Sequence, residues 1–181
     1  LFTGKIQGYI EGNFIKGKKQ GTFFKYHENG KLLSRINYKE NIINGEWLEF
    51  YDNGKMLTKR NFKNGLLEGE YLDYYRIGQL LSKRNYKNGK LDGVYLNYYK
   101  NGQLHKKRNY IAGRLEGISL IFHEYEFDIK VQIKEKSFYK DNKLEGEYLK
   151  YDEVGTLREK GYYKNGKLEG AYYSYNKNGL P

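Results

Sequence analysis

The chain has 181 residues and no cysteine, which excludes a disulfide framework and thiolate metal sites. Lys and Arg outnumber Asp and Glu by 33 to 22, and the net charge of +11 points to anionic partners (lipid headgroups, nucleic acid or an acidic protein) or else simply keeps an extended aromatic surface in solution. No run approaches the roughly 18–20 apolar residues of a membrane-spanning helix, and 21 Tyr with 22 Gly and a single Pro read as strands and tight turns, not as a disordered tail.

In chain order the dominant feature is a repeat. Units open at Gly21, Gly45, Gly69, Gly93, Gly117, Gly146 and Gly170, a spacing of 24 residues except for the 29-residue unit that starts at Gly117. Each unit carries a first turn signal (Asn29-Gly30, Asn53-Gly54, Ile77-Gly78, Asn101-Gly102, Val154-Gly155, Asn178-Gly179) and a second one (Asn64-Gly65, Asn88-Gly89, Ala112-Gly113, Asn165-Gly166). Asn-Gly suits the two-residue type I′ turn, whose central residues both need positive φ. The expected fold is therefore all-β: an open-ended solenoid of tandem antiparallel hairpins in one long twisted sheet, a single repeat domain over residues 1–181. Each repeat would add roughly 10 Å. Both ends interrupt a repeat, so exposed edge strands and end-to-end self-association are expected. A chain opening on Leu1 reads as processed or as a fragment.

Centring turns on Asn53-Gly54 and Asn64-Gly65 predicts that Tyr51 faces Met56, Phe50 faces Leu57, Trp47 faces Arg60, Phe62 faces Leu67 and Lys59 faces Glu70. The opening glycine lies opposite an aromatic, Gly45 to Phe62 and Gly69 to Tyr86, and a ring over each glycine would explain its presence in a strand.

This register gathers candidate binding residues. One face carries a ring ladder of Phe23, Trp47, Tyr71, Tyr95, Tyr148 and Tyr172, with a second ladder of Tyr51, Tyr75 and Tyr99. Arg60, Arg84 and Arg108 lie across from the first ladder, where a guanidinium over a ring contributes about 0.5–1 kcal/mol. Two readings stay open: a groove of rings and cations for a partner, or pairs that only hold together a sheet with no covering layer. A basic column from Arg35 to Lys160 places Arg35 near Glu46 and Lys136 near Glu147. The acidic turn column Glu68, Asp92, Glu116, Glu145 and Glu169 reads as surface, spaced too widely for a metal site. The histidines, His27, His105 and His123, form no catalytic constellation. No cofactor, metal or catalytic residue is expected.

The long unit has five extra residues and no Asn-Gly turn. Residues 125–133 alternate apolar and polar, which predicts a strand, arms longer by two to three residues, and a tip near Phe127 that projects roughly 8 Å. Tyr125 and Phe127 would be exposed there as a contact site.

The stretch Tyr-Lys-Asn-Gly-Lys-Leu-Glu-Gly-x-Tyr-x-x-Tyr, Tyr163 to Tyr175, resembles the bacterial MORN variant repeat, and the chain looks like the YwqK-type antitoxins. The resemblance implies a hairpin solenoid that binds phospholipid or protein. The paired Gly-x-Gly of the eukaryotic repeat is missing, as are the phosphate-binding and catalytic loops of a kinase. The expected function is a non-catalytic module for protein–protein interaction, antitoxin-like, immunity-like or acting at a host or cell surface. The alternative is association with anionic phospholipid surfaces, followed by binding of single-stranded nucleic acid. A bacterial, exported or surface setting is favoured over the cytoplasm.

Overall fold

A computed structural model describes residues 10–125, 132–176 and 180. The chain is all-β; the described residues form strands paired antiparallel, and none forms a helix. It divides into two compact units, Leu1–Lys90 and Leu91–Pro181. The first holds β1 (Ile10–Ile15), β2 (Lys18–Tyr26), β3 (Leu32–Lys39), β4 (Ile42–Phe50), β5 (Met56–Lys63), β6 (Leu66–Leu67), β7 (Gly69–Tyr74) and β8 (Leu80–Lys87), and β9 (Lys90–Leu91) falls on the division. The second holds β10 (Gly93–Tyr98), β11 (Leu104–Ile111), β12 (Arg114–Leu115), β13 (Gly117–Phe122), β14 (Ile133–Lys140), β15 (Lys143–Leu144), β16 (Gly146–Tyr151), β17 (Leu157–Lys164), β18 (Lys167–Leu168) and β19 (Tyr173–Ser174). Within each unit, strands pair with their sequence neighbours, as expected of tandem hairpins.

The two Asn-Gly turns differ. At the second turn Asn64 and Gly65 both have positive φ (50° and 81°), as type I′ requires, and Phe62 opposes Leu67 as predicted. At the first turn only Gly54 does (88°); its N–H donates to Tyr51 O at 2.9 Å, and Tyr51 N–H donates to Lys55 O at 2.8 Å. This is a three-residue loop, a type I turn closed by a left-handed glycine. The Asn53 side chain stabilises it by accepting the Lys55 N–H at 3.0 Å and donating to Arg76 O at 3.0 Å. The longer loop corrects the register beside it. Phe50 opposes Met56, not Leu57, and Tyr51 pairs with Lys55, not Met56, while Trp47 still opposes Arg60.

A second correction lies at the opening glycine. Phe62 opposes Leu67, but Lys59 opposes Leu72 instead of Glu70, so the strand gains two residues around Gly69. Gly69 takes up this irregularity at φ 79°. Gly69 does oppose Tyr86, yet the space where its side chain would stand is open. Backbone conformation, not an overlying ring, demands glycine here. The ring of Tyr86 packs instead on Tyr71, 5.7 Å between centroids.

Turns are tied along each unit. In the first, Glu68 accepts the Asn88 N–H at 2.7 Å; in the second, Asp92 accepts the Ala112 N–H at 3.0 Å and Glu145 the Asn165 N–H at 2.8 Å. The acidic turn column is thus structural. Tyr51 donates to Tyr74 O at 2.8 Å and Tyr99 to Phe122 O at 2.9 Å, while His27 Nε2 lies 2.8 Å from Phe50 O and His123 Nε2 3.0 Å from Tyr151 O. Among the described residues the best-buried polar positions are small hydroxyls: Thr58 and Ser82 in the first unit, Ser119 and Ser137 in the second.

The long unit keeps the ordinary ladder. Gly117 opposes Tyr139 as expected, Phe122 opposes Ile133, and His123 N–H donates to Gln132 O at 3.1 Å. Among the described residues the paired arms are no longer than in the other units, and the extra residues fall between His123 and Gln132 in sequence. Tyr125 is not in a strand and is buried (8% exposed), with its N–H bonded to Gln103 Oε1 at 2.9 Å and its carbonyl to Asn101 at 3.2 Å. The expectation of an exposed Tyr125 on a projecting strand is corrected: the neighbouring turn has polar side chains that hold it down. The tip residues, Phe127 among them, lie outside the described residues.

Candidate binding surface

Alternation places Trp47, Glu49, Thr58, Arg60 and Phe62 on one face of the β4–β5 hairpin. The Arg60 guanidinium carbon is 4.7 Å from the Trp47 ring centroid and 5.3 Å from that of Tyr71, and Arg84 stands 4.8 Å from Tyr71. The sequence thus brings together four expected site residues: Trp47, Arg60, Tyr71 and Arg84. It missed their counter-charges. Arg60 is ion-paired with Glu49 and Arg84 with Asp73, and Ser82 donates to Asp73 at 2.8 Å. Glu49 and Asp73 stand two residues beyond Trp47 and Tyr71, so the strand period alone could have found them. Arg84 is held above its usual value; burial opposes this, and Asp73 outweighs it. Trp47 Nε1–H is buried without an acceptor, an unused donor among the rings.

The second unit departs from this. Tyr95 opposes Arg108 as expected, but Asn97 replaces the acid, and Arg108 donates to Ser119 Oγ at 3.2 Å without an ion pair among the described residues. Lys106 occupies the position of Thr58 and Ser82, its ammonium pushed below its usual range by burial and then by Arg108. Tyr148 opposes Gly161, and burial and the nearby Glu135 push its hydroxyl up. Tyr172 donates to Glu159 at 2.6 Å, and its hydroxyl is pushed up to about 12 by that bond and by burial. Of the second ladder, Tyr51 and Tyr99 spend their hydroxyls on backbone carbonyls, and Tyr75 occupies the corresponding position.

The paired columns also shift. Glu46 binds Lys59 at 3.1 Å as well as Arg35, and Lys83 binds Glu70, so each glutamate takes a lysine from the following strand of its own hairpin. Lys160, not Lys136, holds Glu147, at 2.8 Å. Among the described residues no group of His, Asp or Glu converges as a metal site would.

The model of the MORN repeat variant matches residues 19–40, 43–64, 67–88, 91–112 and 144–165. The chain belongs to the MORN repeat variant family. No curated protein matches it. Among solved structures it is similar to a chain of the "Crystal structure of GtfA/B complex bound to UDP and GlcNAc", at 14% identity over 73% of this chain, with a TM-score of 0.26. The MORN chain spans 24% of that chain's length, and so loose a superposition carries no argument about fold or partner.

Proposed function

We propose that this MORN-variant chain is a non-catalytic binding module whose partner is another protein. The observation that carries the reading is the ring face of the first unit, where Trp47 and Tyr71 lie under guanidinium groups already neutralised by Glu49 and Asp73. Half-buried rings with paired charges suit the aromatic and arginine anchors of protein interfaces. An anionic lipid surface is served better by a strip of unpaired cations. Neutralisation of a toxin, as in the antitoxins the repeat resembles, is one form of this function and suits a toxin with an acidic contact surface. The lipid alternative rests on the net charge of +11, and nucleic-acid binding on the same charge beside rings.

The test is photo-crosslinking, in cells that produce the chain, from a benzophenone residue in place of Tyr86. A discrete heavier protein species, lost in Trp47→Ala with its melting temperature checked, is the expected result. Flotation with phosphatidylserine vesicles that salt abolishes, with no protein adduct, overturns the reading in favour of lipid.

A further inference from the structure

The opposite face of the sheet differs sharply between the two units. In the first, the positions after the opening glycines carry Glu46 and Glu70, which take up Lys59 and Lys83. Facing them, Asn37 donates to Glu46 O at 3.1 Å and Asn61 to Glu70 O at 3.5 Å. That column is polar and internally satisfied.

In the second unit the positions after Gly93 and Gly117 carry Val94 and Ile118 while Glu147 keeps the acid, and of the asparagine positions Asn109 is kept and the other two become Phe138 and Tyr162. Val94, Ile118, Phe138 and Tyr162 are 42–55% exposed. Ile118 opposes Phe138, and Tyr162 opposes Glu147. Between Phe138 and Tyr162 runs a cleft of about 440 Å³ that passes over Gly146. Loss of the two glutamates also strands their lysines. Lys107 and Lys136 flank Leu120 from either side in register, both exposed and without an ion pair among the described residues. The acids at the cleft are already engaged: Glu147 holds Lys160 at 2.8 Å, and Glu145 accepts the Asn165 N–H at 2.8 Å.

We infer that this face of the second unit, Ile118, Phe138 and Tyr162 with Lys107 and Lys136, is a docking surface for an acidic, apolar peptide segment of a partner protein. The occupant follows from charge complementarity. Two strand steps put the lysines about 10 Å apart, which an extended peptide covers in about three residues. The segment therefore carries two carboxylates about three residues apart, with an aromatic or large aliphatic side chain between or beside them to enter the cleft. The inference rests on the protein-binding reading above but uses a different face of the chain.

The experiment is selection of random short peptides on the immobilised full chain, with affinities of the synthesised winners measured by fluorescence anisotropy. The key variant is Ile118→Glu/Phe138→Asn/Tyr162→Asn, which installs residue types the first unit already uses at these positions. Circular dichroism and the melting temperature check its fold. The expected winners carry the paired acids, and the variant weakens them about tenfold or more, as losing an apolar anchor does. Lys107→Gln/Lys136→Gln weakens them as well, without touching the apolar contacts. Basic winners, or acidic winners that bind the folded variant as well as the parent, overturn the inference. If those winners are instead lost in Trp47→Ala, the ring face alone is the binding site and the protein-binding reading stands. Phosphatidylserine vesicles bound by the parent and released by the triple variant, with no peptide enriched, make the surface a lipid site and overturn both.

Discussion

Arg60 stands directly across from Trp47 in the strand register, its guanidinium carbon 4.7 Å from the indole centroid, and the same group is ion-paired with Glu49. Ring, cation and carboxylate form one unit, so the arginine does not present a free charge. Replacing Glu49 and Asp73 by Gln and Asn should leave the hairpins folded and release two guanidinium groups. The double variant is expected to gain flotation with anionic vesicles that is lost at high salt, by a strength the parent lacks. Equal behaviour of parent and variant would show that the pairs do not set the charge of this face.

Arg60→Ala removes both the ring contact and the ion pair. The Arg60 side chain is 22% exposed, so the pair is partly screened, and the expected loss is about 1–2 kcal/mol in urea unfolding. A loss within experimental scatter would mean that the ring ladder holds without its cations.

Ala112 occupies φ 51°, at the turn position where Asn64, Asn88 and Asn165 stand in other units. Alanine gains nothing from the left-handed region, and asparagine tolerates it. Ala112→Asn should therefore stabilise the chain by about 0.5–1 kcal/mol and raise the melting temperature. A lower melting temperature would refute this.

Gly69 adopts φ 79° with open space where a Cβ would stand. Gly69→Ala should cost about 1–2 kcal/mol through backbone strain alone. A D-alanine introduced there by semisynthesis should cost nothing or stabilise, because it favours positive φ. If both alanines destabilise equally, packing and not conformation is the constraint.

His105 stacks on Tyr99 at 4.4 Å between centroids, and its Nδ1 lies 2.9 Å from Asn97 Oδ1. Burial first, then Lys106 and Lys134, push the imidazole below its ordinary value of 6.5. The unfolded chain then takes up the proton before the folded one does. Stability should be level above pH 6.5 and fall as pH drops from there towards the folded pKa. His105→Gln should flatten that part of the urea-midpoint profile between about pH 7 and 5; an unchanged slope would place the titration elsewhere.

The hairpin periodicity, the second-turn type and the pairing of Trp47 with Arg60 were legible in the sequence because they are local: a period of two, turn residues with fixed φ demands, and a 24-residue step. The first turn was not, because Asn-Gly fits either a two-residue turn or a three-residue loop. The Asn53 side chain, which bonds Lys55 N–H and the Arg76 carbonyl one repeat on, reinforces the longer loop but does not decide it, since the same loop forms at Ile77-Gly78, where Tyr75 N–H donates to Gln79 O at 2.8 Å. The irregularity at Gly69 escaped for a similar reason: two inserted residues preserve alternation, so the face pattern conceals the shift of Lys59 from Glu70 to Leu72. In the long unit, alternation from Tyr125 signalled a strand, yet Gln103 and Asn101 of the neighbouring turn hold Tyr125 buried. The sequence by itself determined the hairpin strands of the 24-residue repeats and, away from the first turns and the long unit, which residues share a face, since these depend on steric preferences within a few residues. The Arg35–Glu46 pair was legible too, but only the tertiary structure decided which carboxylates neutralise Lys59, Arg60 and Arg84 and which lysines, Lys107 and Lys136, go without, because bulges and loop lengths set those distances across strands.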